Sequence, residues 1–308
     1  MELSVGGLKA AARVAHALPR PVTDGLARAI SLGAARFSPE QRAMAERNLQ
    51  RVAGREFGAV ELQRQTQRVF DSYARYWVET LSVPELSDAE IDRGFTYEGL
   101  DHIADALDRG IGPILALPHL GGWEWAARWL SSVAGWKVAA VVERLEPPEL
   151  FDWFVELRER IGIHVIPLGE GAALEVGTAI LSGEIMCLLS DRDVVGGGVE
   201  VEFFGERTTI PFGPALLALR TGAPILPTAV YFVGDHCHGV VGAPIEVEST
   251  GDTRADVARI SQELARRMEA QIRVAPEQWH LLQPNWPSDF EALGLPVPGD
   301  AADAADGS

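Results

Sequence analysis

From Gly112 to Val241, short apolar runs alternate with stretches of helical periodicity, and this alternation constrains the fold more than any other feature. Pro113–Pro118, Lys137–Val142, His164–Leu168, Glu184–Ser190, Val199–Phe204, Pro224–Phe232 and Cys237–Val241 read as strands. Trp123–Val133, Pro148–Ile161, Ala172–Ser182 and Pro214–Thr221 read as helices between them. The pattern predicts an α/β fold with a central, mostly parallel or mixed sheet flanked by helices. A long helix over Thr253–Val274 follows. The first hundred residues are helical in texture. Ser38-Pro39-Glu40, an N-cap residue, a proline and an acid, predicts a helix to about Arg51. A second helix from Gly58 to Ser82 carries Val69, Tyr73, Tyr76, Trp77 and Thr80 on one face, read as core packing before lipid contact.

The chain divides into residues 1–37, two amphipathic helices; 38–295, a single α/β domain; and 296–308, a Pro, Gly, Ala and Asp tail expected to be disordered. Within residues 3–18, Lys9, Arg13 and His16 form a basic edge that continues to Arg20, and Val22, Leu26, Ala29, Ile30 and Gly33 outline the second helix. Such helices can lie in an anionic headgroup region or pack on the domain with arginines in water, and the pattern leaves both open. No run approaches the roughly 18 apolar residues of a spanning helix, so a peripheral protein is expected. A net charge of −17 argues against nucleic acid as a partner. Cys187 and Cys237 form no zinc or redox motif and suit a reduced cytosolic setting.

The chemistry is expected at the end of the first aliphatic run. His119 leaves the strand, Gly121-Gly122 permits a bend, and Glu124 follows. On one continuous helix five residues turn by about 500°, so the two side chains can meet only if His119 lies in a turn and Glu124 begins a helix. Such a carboxylate would fix the tautomer of the imidazole and make it a general base for a hydroxyl. A structural histidine beside an unrelated glutamate is the competing account. Three other charged groups follow apolar segments where an open α/β sheet builds its site: Glu143-Arg144, Asp191-Arg192-Asp193, and Arg158 four residues before Gly162. His236-Cys237-His238 reads as a strand edge, because alternation sends Cys237 away from both histidines. Gly196-Gly197-Gly198 lacks the Lys-Ser/Thr of a phosphate loop, and no Gly-x-Ser-x-Gly elbow is present. No metal or cofactor is expected.

His119-Leu-Gly-Gly-Trp-Glu124 resembles the histidine, four-residue spacer and Asp/Glu motif of the glycerophospholipid and lipid A acyltransferase superfamily. The blocks Val142–Leu145, Phe154–Gly162, Ile166–Leu168, Leu189–Asp193, Phe203–Gly205 with Thr208-Thr209, Gly213–Ala215, Pro276–His280 and Gln283–Trp286 are similar, in the same order, to blocks of lipid A lauroyl/myristoyl acyltransferases and of actinobacterial phosphatidylinositol mannoside acyltransferases. The resemblance covers roughly Arg28 to Trp286 and is nearest to the mannoside group, although Glu124 stands where that group usually carries Asp. It implies a glycerolipid-acyltransferase-like fold, His119 and Glu124 as the catalytic pair, and Arg158, Asp193 and, more weakly, Glu143 as substrate-binding residues. It implies an acyl thioester donor, acyl-CoA or acyl carrier protein, and a membrane glycolipid acceptor at an anionic membrane surface, on the cytoplasmic face of the cell membrane. The acceptor implied first is a phosphatidylinositol mannoside hydroxyl; a lipid A-type glycolipid is the alternative, and a noncatalytic lipid carrier is the rival of another class. An acyl groove is expected along Ile114–Leu117, Trp123–Trp129 and Phe203-Phe204.

Overall fold

The computed structural model describes Gly25, Arg28 and residues 31–33, 35–194 and 196–297. Its strands are β1 (Phe95–Glu98), β2 (Ile114–Leu117), β3 (Val138–Val142), β4 (Ile163–Pro167), β5 (Ile185–Leu189), β6 (Val199–Phe203), β7 (Glu206–Ile210), β8 (Ile225–Val233) and β9 (His236–Val241). The helices are α1 (Pro39–Ala53), α2 (Ala59–Ser82), α3 (Asp88–Arg93), α4 (Leu100–Asp108), α5 (Trp123–Ser132), α6 (Pro148–Arg160), α7 (Ala172–Leu181), α8 (Gly213–Thr221), α9 (Thr253–Val274) and α10 (Pro287–Leu293). Seven strands form one sheet in the order β1-β9-β8-β2-β5-β3-β4, parallel throughout except for the β8–β9 pair.

Strands β2, β3 and β5 are apolar at every position, as suits strands with both faces of the sheet covered. Ile114 and Ala116 of β2 point into a core shared with Ile260, Leu264 and Met268 of α9. Leu115 and Leu117 point the other way, into a core shared with Trp123, Trp129 and Leu130 of α5. The strands and helices expected from Ser38 to Val274 are present, with boundaries shifted by a few residues. Strand β6 departs from the sheet and pairs only with β7, through a turn in which Phe204 and Gly205 both have positive φ, 53° and 78°. Helix α1 begins after Ser38 as expected, but the Ser38 side chain makes no capping hydrogen bond. Strand β9 is not at an edge: β1 and β8 flank it, with Cys237 buried and His236 and His238 on the opposite face. On α2, Tyr73 and Tyr76 pack against His280 and Trp77 against Phe154, which makes that face core.

Among the described residues of the second expected amphipathic segment, Gly25, Arg28 and residues 31–33 are helical, as are residues 35–37. The first such helix and the tail beyond residue 297 lie outside the described residues. Among the described residues no helix is long and apolar enough to cross a membrane.

Candidate active site

Strands β2 and β5 are parallel neighbours in the register Leu117↔Leu189. Each chain runs two residues further, and these second residues are His119 and Asp191. They therefore meet at the carboxyl ends of adjacent strands, where open α/β sheets gather their functional groups. His119 Nδ1 lies 2.6 Å from Asp191 Oδ1, and the His119 backbone N–H donates to Oδ2 at 3.0 Å. The indole N–H of Trp279 donates to the same Oδ2 at 2.7 Å. A carboxylate only accepts, so Nδ1 carries the proton, and Nε2 of the neutral ring is left as the basic nitrogen. No described residue hydrogen-bonds Nε2, and the His119 side chain is 34% exposed.

Asp191 is fully buried. Burial by itself would push its carboxyl up, but the charge and Nδ1–H of His119, the Trp279 indole and the His119 amide outweigh it and hold it below the usual carboxylate range. His280 is the neighbouring imidazole. Burial, followed by the charge of His119, pushes it down to about 3, so it is neutral at pH 7. Its Nε2 lies 2.9 Å from Ser72 Oγ, and its backbone N–H donates to the His119 carbonyl at 2.7 Å.

The turn after His119 is shaped by its glycines. Gly121 has φ +58°, and a Cβ there would lie 1.9 Å from the Val230 carbonyl oxygen. Helix α5 then starts at Trp123, which puts Glu124 in its first turn as the spacing predicts. The expected hydrogen bond between His119 and Glu124 is not made. Register gives Nδ1 to Asp191, whereas the inward face of α5 directs Glu124 toward α2 and α6. Glu124 Oε1 accepts from the Tyr76 hydroxyl at 2.9 Å and from Arg158 Nη2 at 3.3 Å. Among the described residues, its Oε2 and Arg158 Nε are buried without partners. Burial raises the Glu124 carboxyl above its usual range, only partly countered by the Arg158 charge and the Tyr76 hydroxyl. The same burial, reinforced by the Glu124 charge, raises the Tyr76 hydroxyl well above its ordinary value. The Arg158 guanidinium sits 5.1 Å from the Trp123 ring centre, and this polar pair thus borders the start of α5.

The other expected residues stand apart. Asp193 uses both carboxylate oxygens on its own loop, accepting from Gly196 N–H at 3.0 Å and Gly198 N–H at 2.8 Å. Glu143 is exposed after β3 and engages no described residue. Beneath α5 a small apolar cavity of about 30 Å³ is lined by Leu115, Leu117, Trp123, Ala127, Leu130 and Cys187, among others. Its lining draws on two of the three segments expected to form a groove, Ile114–Leu117 and Trp123–Trp129. Phe203 and Phe204 are not part of it, since they pack with Trp279 and Trp286 in the core on the opposite face. Among the described residues, no cluster of metal-ligating side chains is found.

Sequence reasoning singled out the Asp191-Arg192-Asp193 group but assigned the site role to Asp193, and it missed Trp279. The available signal was position: His119 and Asp191 each follow directly on an apolar run, but chain order does not reveal that β2 and β5 are neighbours.

The chain is similar to the phosphatidylinositol mannoside acyltransferase of Mycolicibacterium smegmatis, 39% identical over 291 residues that cover 92% of this chain and 91% of the relative. It is also similar to the phosphatidylinositol mannoside acyltransferase of Mycobacterium tuberculosis, 41% identical over 226 residues, 71% of this chain and 69% of the relative. The family model described as bacterial lipid A biosynthesis acyltransferase matches residues 4–288. With a family match over residues 4–288 and a relative aligned along nearly its whole length, the chain belongs to the bacterial lipid A biosynthesis acyltransferase family and is an acyltransferase.

Proposed function

We propose that this enzyme moves a fatty acyl group from an acyl thioester, acyl-CoA in the first instance, to a mannose hydroxyl of a phosphatidylinositol mannoside at the cytoplasmic face of the cell membrane. The observation that carries the mechanism is the 2.6 Å contact between His119 Nδ1 and Asp191, which leaves Nε2 basic and without a protein partner. Nε2 removes the acceptor proton as the hydroxyl oxygen bonds to the thioester carbonyl carbon. Asp191 holds the tautomer and stabilises the imidazolium, the division of labour of a triad without a protein nucleophile. The tetrahedral intermediate then expels the thiolate, which takes the proton from His119. Leu120 and Gly121 donate their N–H groups to Pro118 and Gln278, so the oxyanion donors are the Gly122 and Trp123 amides at the start of α5.

The acyl chain enters the cavity under α5. Glu124, Tyr76 and Arg158 form the polar wall: the unpartnered Oε2 and Nε receive hydroxyl or phosphate groups of the substrates. Asp193 acts on substrate through the glycine loop that it organises, and Glu143 meets the acceptor from the exposed rim. The basic segment 1–37 supplies membrane contact. Two features of the relatives favour the mannoside acceptor: both are phosphatidylinositol mannoside acyltransferases, and one aligns over more than 90% of each chain.

Incubation with palmitoyl-CoA and a phosphatidylinositol mannoside should release free thiol and yield a singly acylated product by mass spectrometry, with both lost in His119→Ala. Acylation of a lipid A-type precursor in preference to the mannoside would replace the acceptor assignment. Lipid binding with no thiol release from the unaltered protein would make it a carrier.

A further inference from the structure

The carboxyl-terminal block of the chain returns across the catalytic turn and joins it through a single antiparallel bridge. Gly121 N–H donates to the Gln278 carbonyl, His280 N–H donates to the His119 carbonyl, and Leu120 and Trp279 form an antiparallel bridge. Gln278 adds a side-chain clamp: its amide donates to the Phe232 carbonyl at 2.9 Å, and its oxygen accepts the Phe232 N–H at 2.7 Å. Residues 278–280 are thereby fastened to both the catalytic turn and β8. Helix α1 secures the continuation, with Asn48 on the Leu281 carbonyl and Arg47 and Arg51 on the buried Asp289.

Between these fixings Trp279 is 3% exposed, and its indole N–H meets Asp191 Oδ2. The ring is wedged between Phe203, Phe204 and Trp286. The backbone of Phe204 has φ +53°, a strained conformation for a bulky residue. It is held there by Glu269, which accepts the Phe204 N–H at 2.7 Å while Arg273 sits over the ring. Asn285, further along the same block, donates to the Asp191 carbonyl. Both ends of Asp191, side chain and backbone, are therefore gripped by a segment roughly 90 residues away in sequence.

We propose that Trp279 is a positioning residue of the acyl transfer: its indole N–H sets the rotamer and shares the charge of Asp191, and through Asp191 it aligns His119. Oδ2 takes Trp279 and the His119 amide, which reserves Oδ1 for Nδ1–H. Without the indole N–H the carboxylate is held by His119 alone, and its charge falls more fully on that residue, raising the pH at which Nε2 becomes free. The other ionisable group facing His119 from the strap is His280, already neutral across that range.

The inference rests on His119 and Asp191 as the catalytic pair, so both are tested together by thiol release with acyl-CoA and the mannoside acceptor. Trp279→Phe keeps the aromatic packing and removes only the donor. It should lower kcat about tenfold, the loss expected for one hydrogen bond to a charged group, with KM nearly unchanged. The acidic limb of its pH profile should move to higher pH. Trp286→Phe is the control, since that indole belongs to the same stack but donates to the Phe203 carbonyl. It should lower Tm and leave the pH profile unmoved. Should Trp279→Phe not fold, the full-length protein with labelled tryptophan answers the same question: one of its 8 indole N–H signals should move in Asp191→Asn. An unshifted pH profile with undiminished kcat in Trp279→Phe, or no indole signal sensitive to Asp191→Asn, overturns the proposal. Full activity in His119→Ala instead removes the catalytic pair on which it stands.

Discussion

Replacing Asp191 by Asn tests the mechanism with little change of shape. The carboxylate accepts three N–H groups: Nδ1–H of His119 on Oδ1, and the His119 amide and the Trp279 indole on Oδ2. An amide offers one accepting oxygen and one donating NH2. With its oxygen toward Nδ1, the NH2 group faces two donors at 3.0 and 2.7 Å, and two hydrogen bonds become repulsive contacts. With its oxygen toward those two donors, both bonds survive and NH2 points at Nδ1. The second orientation wins, since it loses one interaction rather than two, and it turns Nδ1 into an acceptor. The proton then sits on Nε2, where the base is needed. The expected stability cost is about 1–3 kcal/mol, one charge-assisted bond weakened in a buried site. The expected kcat loss is about 10³–10⁴-fold, the range seen when the wrong imidazole tautomer is enforced in a hydrolase triad. Thiol release under saturating acyl-CoA and acceptor, paired with chemical denaturation, measures both. A folded Asp191→Asn protein with kcat within threefold of the parent would refute the assignment of Nε2 as base.

Three further outcomes follow from the geometry. Gly121→Ala places a Cβ 1.9 Å from the Val230 carbonyl oxygen at φ +58°, so denaturation should show a loss of more than about 2 kcal/mol, with thiol release abolished; unaltered stability would mean that the turn is looser than described. Ala127→Phe fills the cavity beneath α5, so the ratio of kcat/KM for palmitoyl-CoA to that for a short-chain acyl-CoA should fall about tenfold or more; an unchanged ratio would move the acyl chain elsewhere. His280 is neutral down to about pH 3 when folded but binds a proton near pH 6.5 when unfolded, so the unfolded chain carries the extra proton between those values. Its contribution is complete above pH 6.5 and fades on acidification by up to about 1.4 kcal/mol per pH unit, about 2 kcal/mol at pH 5. His280→Gln should flatten that part of the stability profile, as followed by denaturation from pH 4 to 7; an equally steep profile would remove His280 as its source.

The sheet was legible because its strands are buried on both faces and separated by helices of clear periodicity. Strand β7 was not, because Glu206, Arg207, Thr208 and Thr209 present little apolar signal and pair only with β6. Helix α3 did carry a readable mark: Ser87 and Glu90 form a capping box, but the helix is 6 residues long and offers almost no periodic pattern. For the site, local spacing correctly put His119 in a turn and Glu124 at a helix start. It could not say which carboxylate reaches Nδ1, since that depends on strand order, and β5 is inserted beside β2 only after β3 and β4 have been made. The motif Asp191-Arg192-Asp193 stood out in the sequence, but the residue directly continuing the strand has its backbone fixed by the ladder, whereas Asp193 has already entered the glycine loop.

Two buried carboxylates border this site, and their surroundings separate their roles. The partner of a general base must stay ionised while the imidazolium forms and disappears. Asp191 meets that demand, because three N–H groups converge on it and hold it below the usual range. Glu124 does not: it faces a hydroxyl and one corner of a guanidinium, one of its oxygens is left unpartnered, and burial raises it. A carboxyl in that state is poorly suited to support a cation on His119 but well suited to meet a substrate hydroxyl, as acceptor when ionised and as donor when protonated. The five-residue step from His119 to Glu124 then has a physical meaning other than a shared hydrogen bond. It spans one glycine turn, placing His119 on the strand side and Glu124 on the helix side, with the Gly122 and Trp123 amides between them, where the proposed mechanism develops charge on the carbonyl oxygen of the acyl donor.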